Sequence, residues 1–328
     1  VRTFTIGFRD AAYDEAPFAK AVAQHLGTEH TELYMSEHDV LDVIPKLPSM
    51  YDEPFADSSQ MPTHLVAMLA RRHVTVTLSG DGGDELFGGY ARYFIGQRLL
   101  RALRWVPVAL RPAAGRMLEA LTAQPRIHKV ARMMKANDPD AMYFELVSHW
   151  PAGVVLDAPP AEAPVTKRFE WPSLLDPVER MMYFDQISYL PDDILTKVDR
   201  ASMAVSLESR EPLLDYRLVE FAWRLPPSMK VRHGKGKRIL RRVLHRYIPE
   251  SLIDRPKMGF GIPLGAWLRG PLRHWAEALL DPAAIRKHGL LDSAPIRAKW
   301  EEHLAGRSDW NFYLWGVLML QAWLEAGG

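Results

Sequence analysis

The sequence of 328 residues has no cysteine, almost no net charge and no apolar run long enough to cross a bilayer. Without cysteine the chain has no disulfide, thiolate metal ligand or cysteine nucleophile. Lys and Arg number 41 and Asp and Glu number 40, a formal charge of +1, which argues against binding to nucleic acid or to an anionic membrane through bulk charge. The most apolar stretch, residues 312–324, predicts a buried helix.

The sequence opens on Val1 rather than on methionine, and its first residues do not show the secretory pattern of a basic start, an apolar core and a small-residue cleavage site. We therefore expect it to begin inside a longer protein. Its 12 histidines form no His-Glu-x-x-His zinc motif, and no Gly-x-Ser-x-Gly nucleophile elbow is present. The absence of cysteine fits a reducing compartment, so we predict a cytoplasmic location.

Strand and helix patterns alternate in the first part of the chain. Residues 3–8 alternate polar and apolar side chains, and residues 74–78 form a β-branched run, so both predict strands, the second one buried. Residues 14–26 repeat apolar side chains at helical spacing and end before Gly27, a typical helix stop. This alternation predicts a parallel α/β sheet with helices on its faces and a ligand crevice at the carboxyl ends of the strands. Further predicted elements are a strand at 32–35 and helices at 38–47, weakened by Pro45, and at 59–72.

Composition divides the chain into three parts. Residues 1–97 predict the sheet unit. Residues 98–180 are rich in Leu, Ala and Arg without a convincing strand, and they predict a helical insertion. It serves for packing, shapes a substrate pocket or contacts a domain outside this sequence. Residues 181–328 predict a mostly helical remainder of one large domain.

One segment combines glycines and carboxylates directly after a predicted strand. Residues 78–90 read Leu-Ser-Gly-Asp-Gly-Gly-Asp-Glu-Leu-Phe-Gly-Gly-Tyr. The glycines allow backbone N–H groups to approach an anion closely. Asp81 and Asp84 add hard oxygen ligands that suit Mg²⁺ beside phosphates. The alternative is a tight turn in which an aspartate caps the next helix, because glycine motifs produce many false matches. The spacing fits neither a Walker A loop nor a dinucleotide fingerprint.

Two acidic segments follow later in the chain. On a helix over 190–203, Asp192, Thr196 and Asp199 lie on one side. Such a pattern is usually a solvated, salt-bridged face. In the second segment, Glu208 and Arg210 are as consistent with a structural ion pair at a helix end as with a functional role.

Two basic segments complete the set. Residues 234–242 read Gly-Lys-Gly-Lys-Arg-Ile-Leu-Arg-Arg, which suits contact with a polyphosphate or stabilisation of charge in a transition state. A basic surface turn explains them equally well. Residues 255–264 place Arg255 and Lys257 in a glycine-containing loop, for which phosphate binding and plain solvent exposure both stay open.

Together these segments resemble the C-terminal synthetase domain of the asparagine synthetase B family. The resemblance includes Tyr-Asp-Glu-Pro-Phe-Ala-Asp-Ser-Ser at 51–59, runs from about residue 3 to about residue 325, and is most specific at 78–90. It implies an ATP-pyrophosphatase (adenine nucleotide alpha hydrolase-like) fold, a doubly wound parallel sheet with a large helical portion. It also implies that ATP, with Mg²⁺, adenylates the side-chain carboxylate of aspartate. Ammonia, supplied from glutamine in the full-length parent, then gives asparagine, AMP and pyrophosphate.

The same resemblance implies residue roles. Asp81 and Lys237 are implied to be catalytic, with Lys237 stabilising the transition state, and Asp84 is implied to hold Mg²⁺. The residues implied to bind ATP are Leu78, Ser79, Gly80, Asp81, Gly82, Lys237 and Lys257. Those implied to bind the carboxylate substrate are Asp57, Ser58, Asp193 and Asp199.

Two features of that family are missing from this sequence. One is a Ser-Gly-Gly-x-Asp-Ser pyrophosphate loop before the first strand, and the other is a glutaminase domain with an N-terminal cysteine. We therefore expect residues 1–328 to be a synthetase domain that lacks its first strand and pyrophosphate loop and is inactive alone. Its expected partners are small-molecule substrates and the glutaminase domain of the same chain, without nucleic acid or membrane, and a homodimer is left open.

Other functions stay open at this point. Related enzymes close β-lactam rings, form macrolactams or modify sugars and natural products, so another carboxylate can replace aspartate. A related enzyme that modifies tRNA would need a basic groove, which a net charge of +1 disfavours. A non-catalytic relative is a third alternative, against which the presence of Asp81, Asp84 and Lys237 counts.

Overall fold

The computed structural model describes residues 1–8, 13–121, 124–136, 138–150, 154–156, 176–254 and 261–327. Helices dominate these ranges, and the four described strands form two parallel pairs. Strand β1 (Arg2–Phe8) pairs with β2 (Glu29–Met35), with Ile6 opposite Leu33. Strand β3 (Val76–Leu78) pairs with β4 (Glu208–Arg210).

Short and medium helices connect and cover these strands. The α-helices have the bounds Ala16–Leu26, Glu37–Leu41, Leu47–Met50, Gln60–Arg71, Gly83–Phe87, Ala91–Leu103, Arg111–Leu121, Pro125–Lys135, Pro139–Val147, Pro177–Ile187, Thr196–Met203, Tyr216–Arg224, Pro227–Lys230, Arg238–Leu244, Glu250–Ile253, Leu264–Arg269, Arg273–Leu279, Pro282–Lys287, Ser293–Leu304 and Asn311–Glu325. Three 3₁₀ segments and one π-helical segment complete the set: Ile44–Lys46, Val108–Leu110, Pro212–Leu214 and Leu190–Leu195. Within the described ranges, no helix has both the length and the apolar character needed to cross a bilayer.

The local predictions with a strong periodic pattern are confirmed. The helix predicted at 14–26 forms over Ala16–Leu26 and ends at Gly27, whose φ of 64° is the left-handed conformation that glycine adopts easily.

The prediction of one helix over 38–47 is wrong. Near Pro45 the segment divides into the helix Glu37–Leu41 and a 3₁₀ segment over Ile44–Lys46. Proline lacks the N–H that a helix interior needs, so it starts a new turn instead.

The strand that leads into the glycine loop differs from the prediction. It covers only Val76–Leu78, and it is not buried, because the side chain of Leu78 is 71% exposed. Its partner β4 was not predicted as a strand. Glu208 and Arg210 do form an ion pair, with 2.6 Å between Arg210 Nε and Glu208 Oε1, but they do so on a strand rather than at a helix end. A three-residue strand with two charged side chains has no apolar alternation to reveal it.

Parallel pairing agrees with the predicted α/β class. A doubly wound sheet needs strands added on both sides of a first strand, and the described strands form two separate pairs. The doubly wound order therefore stays a prediction.

The largest core packs the C-terminal helices against β1, β2 and the helices that follow them. The apolar stretch predicted as a buried helix forms Asn311–Glu325, which buries Leu314, Trp315 and Leu318 completely. Residues from both ends of the chain thus share one core, so the C-terminal helices are an integral part of the fold.

Replacing a fully buried leucine of this core tests that packing. We expect Leu318→Ala to lower the free energy of unfolding by about 2–5 kcal/mol, because it removes buried methyl groups and leaves a cavity. The matched control is Leu121→Ala, whose side chain is 70% exposed and whose loss changes little. Urea denaturation of the two variants measures both values, and equal losses would contradict the described core.

Candidate functional site

The glycine loop begins where β3 ends. Ser79 N–H donates to the carbonyl oxygen of Arg210 at 3.0 Å, which extends the pairing of β3 and β4 by one residue. The Ser79 hydroxyl donates to Asp81 Oδ2 at 2.6 Å, and Asp81 N–H donates back to Ser79 Oγ at 3.3 Å. Two of the predicted site residues are therefore held together by the turn itself.

Gly82 closes this turn in a conformation that needs glycine. Its φ is +85°, and a Cβ built on it would lie 2.2 Å from Leu214 Cδ2. The next residues form the short helix Gly83–Phe87, which carries Asp84 and the buried Glu85. Asp81 therefore lies in the turn, and Asp84 lies in the short helix that directly follows it.

An ion pair joins this loop to the basic segment. Lys237 Nζ lies 2.8 Å from Asp84 Oδ2, and the two side chains are only 31% and 20% exposed. Lys237 N–H also donates to the carbonyl oxygen of Phe87 at 2.8 Å. The residue predicted to stabilise the transition state and the residue predicted to hold Mg²⁺ are therefore in direct contact.

Two glycines permit this close approach. A Cβ on Gly236 would lie 1.9 Å from the carbonyl oxygen of Gly88, and a Cβ on Gly89 would lie 1.9 Å from Asp84 Oδ1. Neither position tolerates a side chain unless the backbone or the ion pair moves. Lys237 itself has φ +55°, an uncommon conformation for a residue with a side chain.

A second charged cluster gathers two of the predicted substrate residues around a lysine. Lys197 is 8% exposed. Its Nζ lies 2.6 Å from Asp57 Oδ2 and 3.8 Å from Asp193 Oδ1. Asp57 also accepts hydrogen bonds from the Ser59 N–H at 2.9 Å and the Ser59 hydroxyl at 2.8 Å.

The two carboxyl groups of this cluster differ in pKa. Burial raises the pKa of Asp193 to about 8, and the negative charge of nearby Asp57 adds to that effect. Burial also acts against ionisation of Asp57, but the charge of Lys197 and the hydrogen bonds from Lys197 and Ser59 outweigh it and lower its pKa. These opposite shifts favour the proton on Asp193 over Asp57.

A row of side chains links the glycine loop with the segment that carries Asp193. The Tyr90 hydroxyl donates to Glu85 Oε1 at 2.5 Å. The Arg92 guanidinium lies 4.0 Å from the centre of the Tyr90 ring and 4.3 Å from that of the Tyr189 ring. Tyr189 immediately precedes the π-helical segment Leu190–Leu195 that carries Asp193, and π-helical turns occur frequently at functional sites.

Arg92 is fixed from its other side by a buried carboxylate. Its Nη2 lies 2.7 Å from Asp185 Oδ2, which also accepts the hydroxyls of Tyr93 at 2.6 Å and Tyr143 at 2.9 Å. Asp185 is fully buried. Side chains from three helices, Ala91–Leu103, Pro139–Val147 and Pro177–Ile187, therefore fix Arg92 between the Tyr90 and Tyr189 rings.

The other predicted site residues differ in their exposure. The Asp199 side chain is 61% exposed and lies 3.7 Å from Arg200 Nη1. Ser58 is buried at 7% exposure, and Leu78 turns its side chain to the surface. Lys257 lies outside the described residues.

Sequence reasoning missed two residues of the site. Lys197 lies one helical turn after Asp193, a spacing that predicts an ion pair on a helix, so a signal existed. Arg92 had none, because its partners Tyr189 and Asp185 are about a hundred residues away and meet it only through tertiary packing. Among the described residues, no three His, Asp or Glu side chains converge to hold a metal ion by themselves.

Comparison with known sequences identifies the family. The asparagine synthase family profile matches residues 1–325. The chain therefore belongs to the asparagine synthase family, which is of the ATP-pyrophosphatase type.

Relatives of known name agree with this. A protein of Mycobacterium tuberculosis named putative glutamine-hydrolyzing asparagine synthetase is 33% identical over 98% of this chain and 50% of its own length. Glutamine-hydrolyzing asparagine synthetase 1 of Bacillus subtilis is 28% identical over 98% of this chain and 52% of its own length. Amidase chyE of Penicillium rubens is 22% identical over 89% of this chain and 48% of its own length. The chain spans about half the length of the curated relatives it matches.

The raised pKa of Asp193 makes a prediction about stability and pH. The folded state keeps the Asp193 proton up to about pH 8, whereas an unfolded aspartate loses it near pH 4. The bound proton therefore stabilises the folded state fully below about pH 4. This stabilisation is lost as the pH rises from about 4 to about 8. We expect Asp193→Asn to exceed the wild type in free energy of unfolding, by an amount that grows with pH and levels off above about pH 8, on the order of a few kcal/mol.

Urea denaturation between pH 5 and 9 measures this difference, and ¹³C NMR of the Asp193 carboxyl group measures the pKa directly. Asp199→Asn is the matched control, because that side chain lies mostly in solvent and its loss changes little at any pH. A constant difference between Asp193→Asn and the wild type would contradict the assignment.

Proposed function

We propose that the enzyme containing this chain is an ATP-dependent amide-forming ligase of the asparagine synthetase type. It adenylates the side-chain carboxylate of aspartate and transfers ammonia to give asparagine, AMP and pyrophosphate. The contact between Asp84 and Lys237 across the glycine loop, 2.8 Å long, carries this proposal. It brings a carboxylate and a cation to one loop whose glycines allow close approach of phosphates.

ATP has a consistent place at this loop. Ser79, Gly80 and Gly82 present the backbone at the end of β3, and the exposed Leu78 offers apolar contact for the base. Lys237 stands where it can neutralise the departing pyrophosphate. A substrate carboxylate oxygen attacks the α-phosphorus, and the bond from that phosphorus to the bridging oxygen breaks in line with the attack.

Mg²⁺ fits the donors at this loop as an ion shared with phosphates. Magnesium usually takes one or two protein carboxylates together with substrate phosphates and water. Asp84 is the carboxylate that would hold it, and Asp81 lies three residues away on the same loop. The ion would supply charge neutralisation at the phosphates. Lys237 would then share Asp84 with the ion.

The second cluster suits the carboxylate substrate and the nitrogen nucleophile. Asp57 and Lys197 form a fixed pair of charges, and Asp193 adds a neutral carboxyl beside them. An amino acid has both charge signs, so a cluster with both signs can orient it. In the second step ammonia attacks the acyl carbon, AMP leaves with the bonding electrons, and the nitrogen loses a proton.

The full-length protein is proposed to obtain ammonia from glutamine, because these relatives are named glutamine-hydrolyzing. The chain spans about half of their length, so a further domain is proposed to release the ammonia. A cytoplasmic location belongs to the same proposal. A relative named as an amidase supports testing other carboxylates as acceptors.

Replacing Lys237 tests the proposed reaction in the full-length gene product. With ammonia as the nitrogen source, we expect Lys237→Met to lower aspartate-dependent AMP formation by about 10²–10³-fold, because a cation that stabilises transition-state charge is lost. Lys287→Met is the matched control, because Lys287 pairs with Glu325 at the exposed C-terminal end and its loss leaves the rate unchanged. Coupled detection of AMP and pyrophosphate measures both rates.

A panel of carboxylates in the same assay identifies the carboxylate that accepts ammonia. Activity with aspartate alone supports the asparagine synthetase assignment. Activity with another carboxylate and none with aspartate would contradict aspartate as the substrate but would agree with an amide-forming ligase. An equal rate for Lys237→Met and wild type would contradict the proposed site.

A further inference from the structure

A second concave site lies outside the proposed active site. It is a cavity of about 430 Å³ between the helices Ala91–Leu103 and Pro177–Ile187 and the turn at 232–234. Its volume is within the range of pockets that hold small organic ligands. Phe94 and Met182 supply apolar surface, and Arg98, Arg101, Lys230 and Arg232 supply positive charge.

The carboxylates of this cavity are already engaged. Glu179 Oε1 accepts Lys230 Nζ at 3.0 Å, and Lys230 is 1% exposed. Asp176 Oδ1 accepts two backbone N–H groups at the start of the helix Pro177–Ile187. The buried pair of Lys230 and Glu179 therefore fixes the floor of the cavity and leaves little net charge there.

The arginines at the rim are not neutralised in the same way. In the part of the chain that the structure describes, none of the ion pairs involves Arg98, Arg101 or Arg232. Arg98 and Arg101 are one helical turn apart and share a helix face, and Arg232 lines the same cavity from the turn at 232–234. Three arginines that line one cavity suit an anion that accepts several hydrogen bonds, and the arginine fork matches phosphate oxygens especially well.

Arg232 reaches the cavity on a rigid turn. Arg232 and Lys235 exchange two backbone hydrogen bonds of 3.0 Å, and His233 and Gly234 between them have φ of +51° and +74°. Positive φ at both central residues defines a tight two-residue hairpin. The same turn continues into Gly236 and Lys237, so one short segment borders both the cavity and the proposed active site.

We propose that this cavity is a second anion site that binds a small phosphate monoester through Arg98, Arg101 and Arg232. Its apolar wall takes the organic part of the ligand. The site is separate from the Asp84–Lys237 pair and does not rest on the proposed function, because none of its binding residues belongs to that loop.

Isothermal titration calorimetry of the full-length gene product with glycerol 3-phosphate tests this proposal. We expect saturable binding, competition by inorganic phosphate, and no binding of glycerol. The double variant Arg98→Gln/Arg101→Gln should weaken binding by at least about tenfold, because it removes two charge-assisted contacts. Both side chains are exposed, so its thermal unfolding midpoint should match the wild type and separate loss of binding from loss of fold.

Two further variants make the result decisive. Arg71→Gln/Arg72→Gln removes the same charge from exposed positions elsewhere and should leave binding unchanged, as should Lys237→Met. Absence of saturable binding to the wild type would overturn the proposal. Binding that is lost in Lys237→Met and kept in the Arg98/Arg101 variant would also overturn it, because the phosphate would then occupy the nucleotide loop.

Discussion

The ion pair between Asp84 and Lys237 is the contact on which the rest of the candidate site depends. It joins two segments that are 153 residues apart in sequence and holds them with a side-chain contact and a backbone hydrogen bond from Lys237 to Phe87. Because the pair is only partly exposed, water screens it less than a surface pair. The glycine loop and the basic segment therefore behave as one unit.

Glycine placement follows from that contact. Gly89 and Gly236 have no room for a Cβ beside the pair, and Gly82 has none beside Leu214.

From this loop the contacts through Tyr90, Arg92 and Tyr189 lead to the segment with Asp193. The phosphate end and the carboxylate end of the proposed reaction are thus connected by packed aromatic rings and one arginine, which suits a site that must orient two substrates.

The sequence alone revealed the parts of this molecule with a local signal. Residues 14–26 and 312–324 carry clear apolar patterns, and the glycine loop stands out by its composition, whereas the role of Lys237 was implied by the family resemblance. The strand at 208–210, the exposure of Leu78 and the position of Arg92 depend on partners far along the chain. Local patterns contain no information on such pairing, which explains why β4 and the Arg92 link were missed.

A double-mutant cycle between Asp84 and Lys237 measures whether this ion pair joins the glycine loop to the basic segment. Urea denaturation of Asp84→Asn, Lys237→Met and the double variant gives the coupling free energy of the pair. We expect a favourable coupling of about 1–2 kcal/mol, since the effects of replacing two contacting residues in a partly buried pair are not additive. A coupling of zero within error would contradict it, because the two segments would then be held together without this contact.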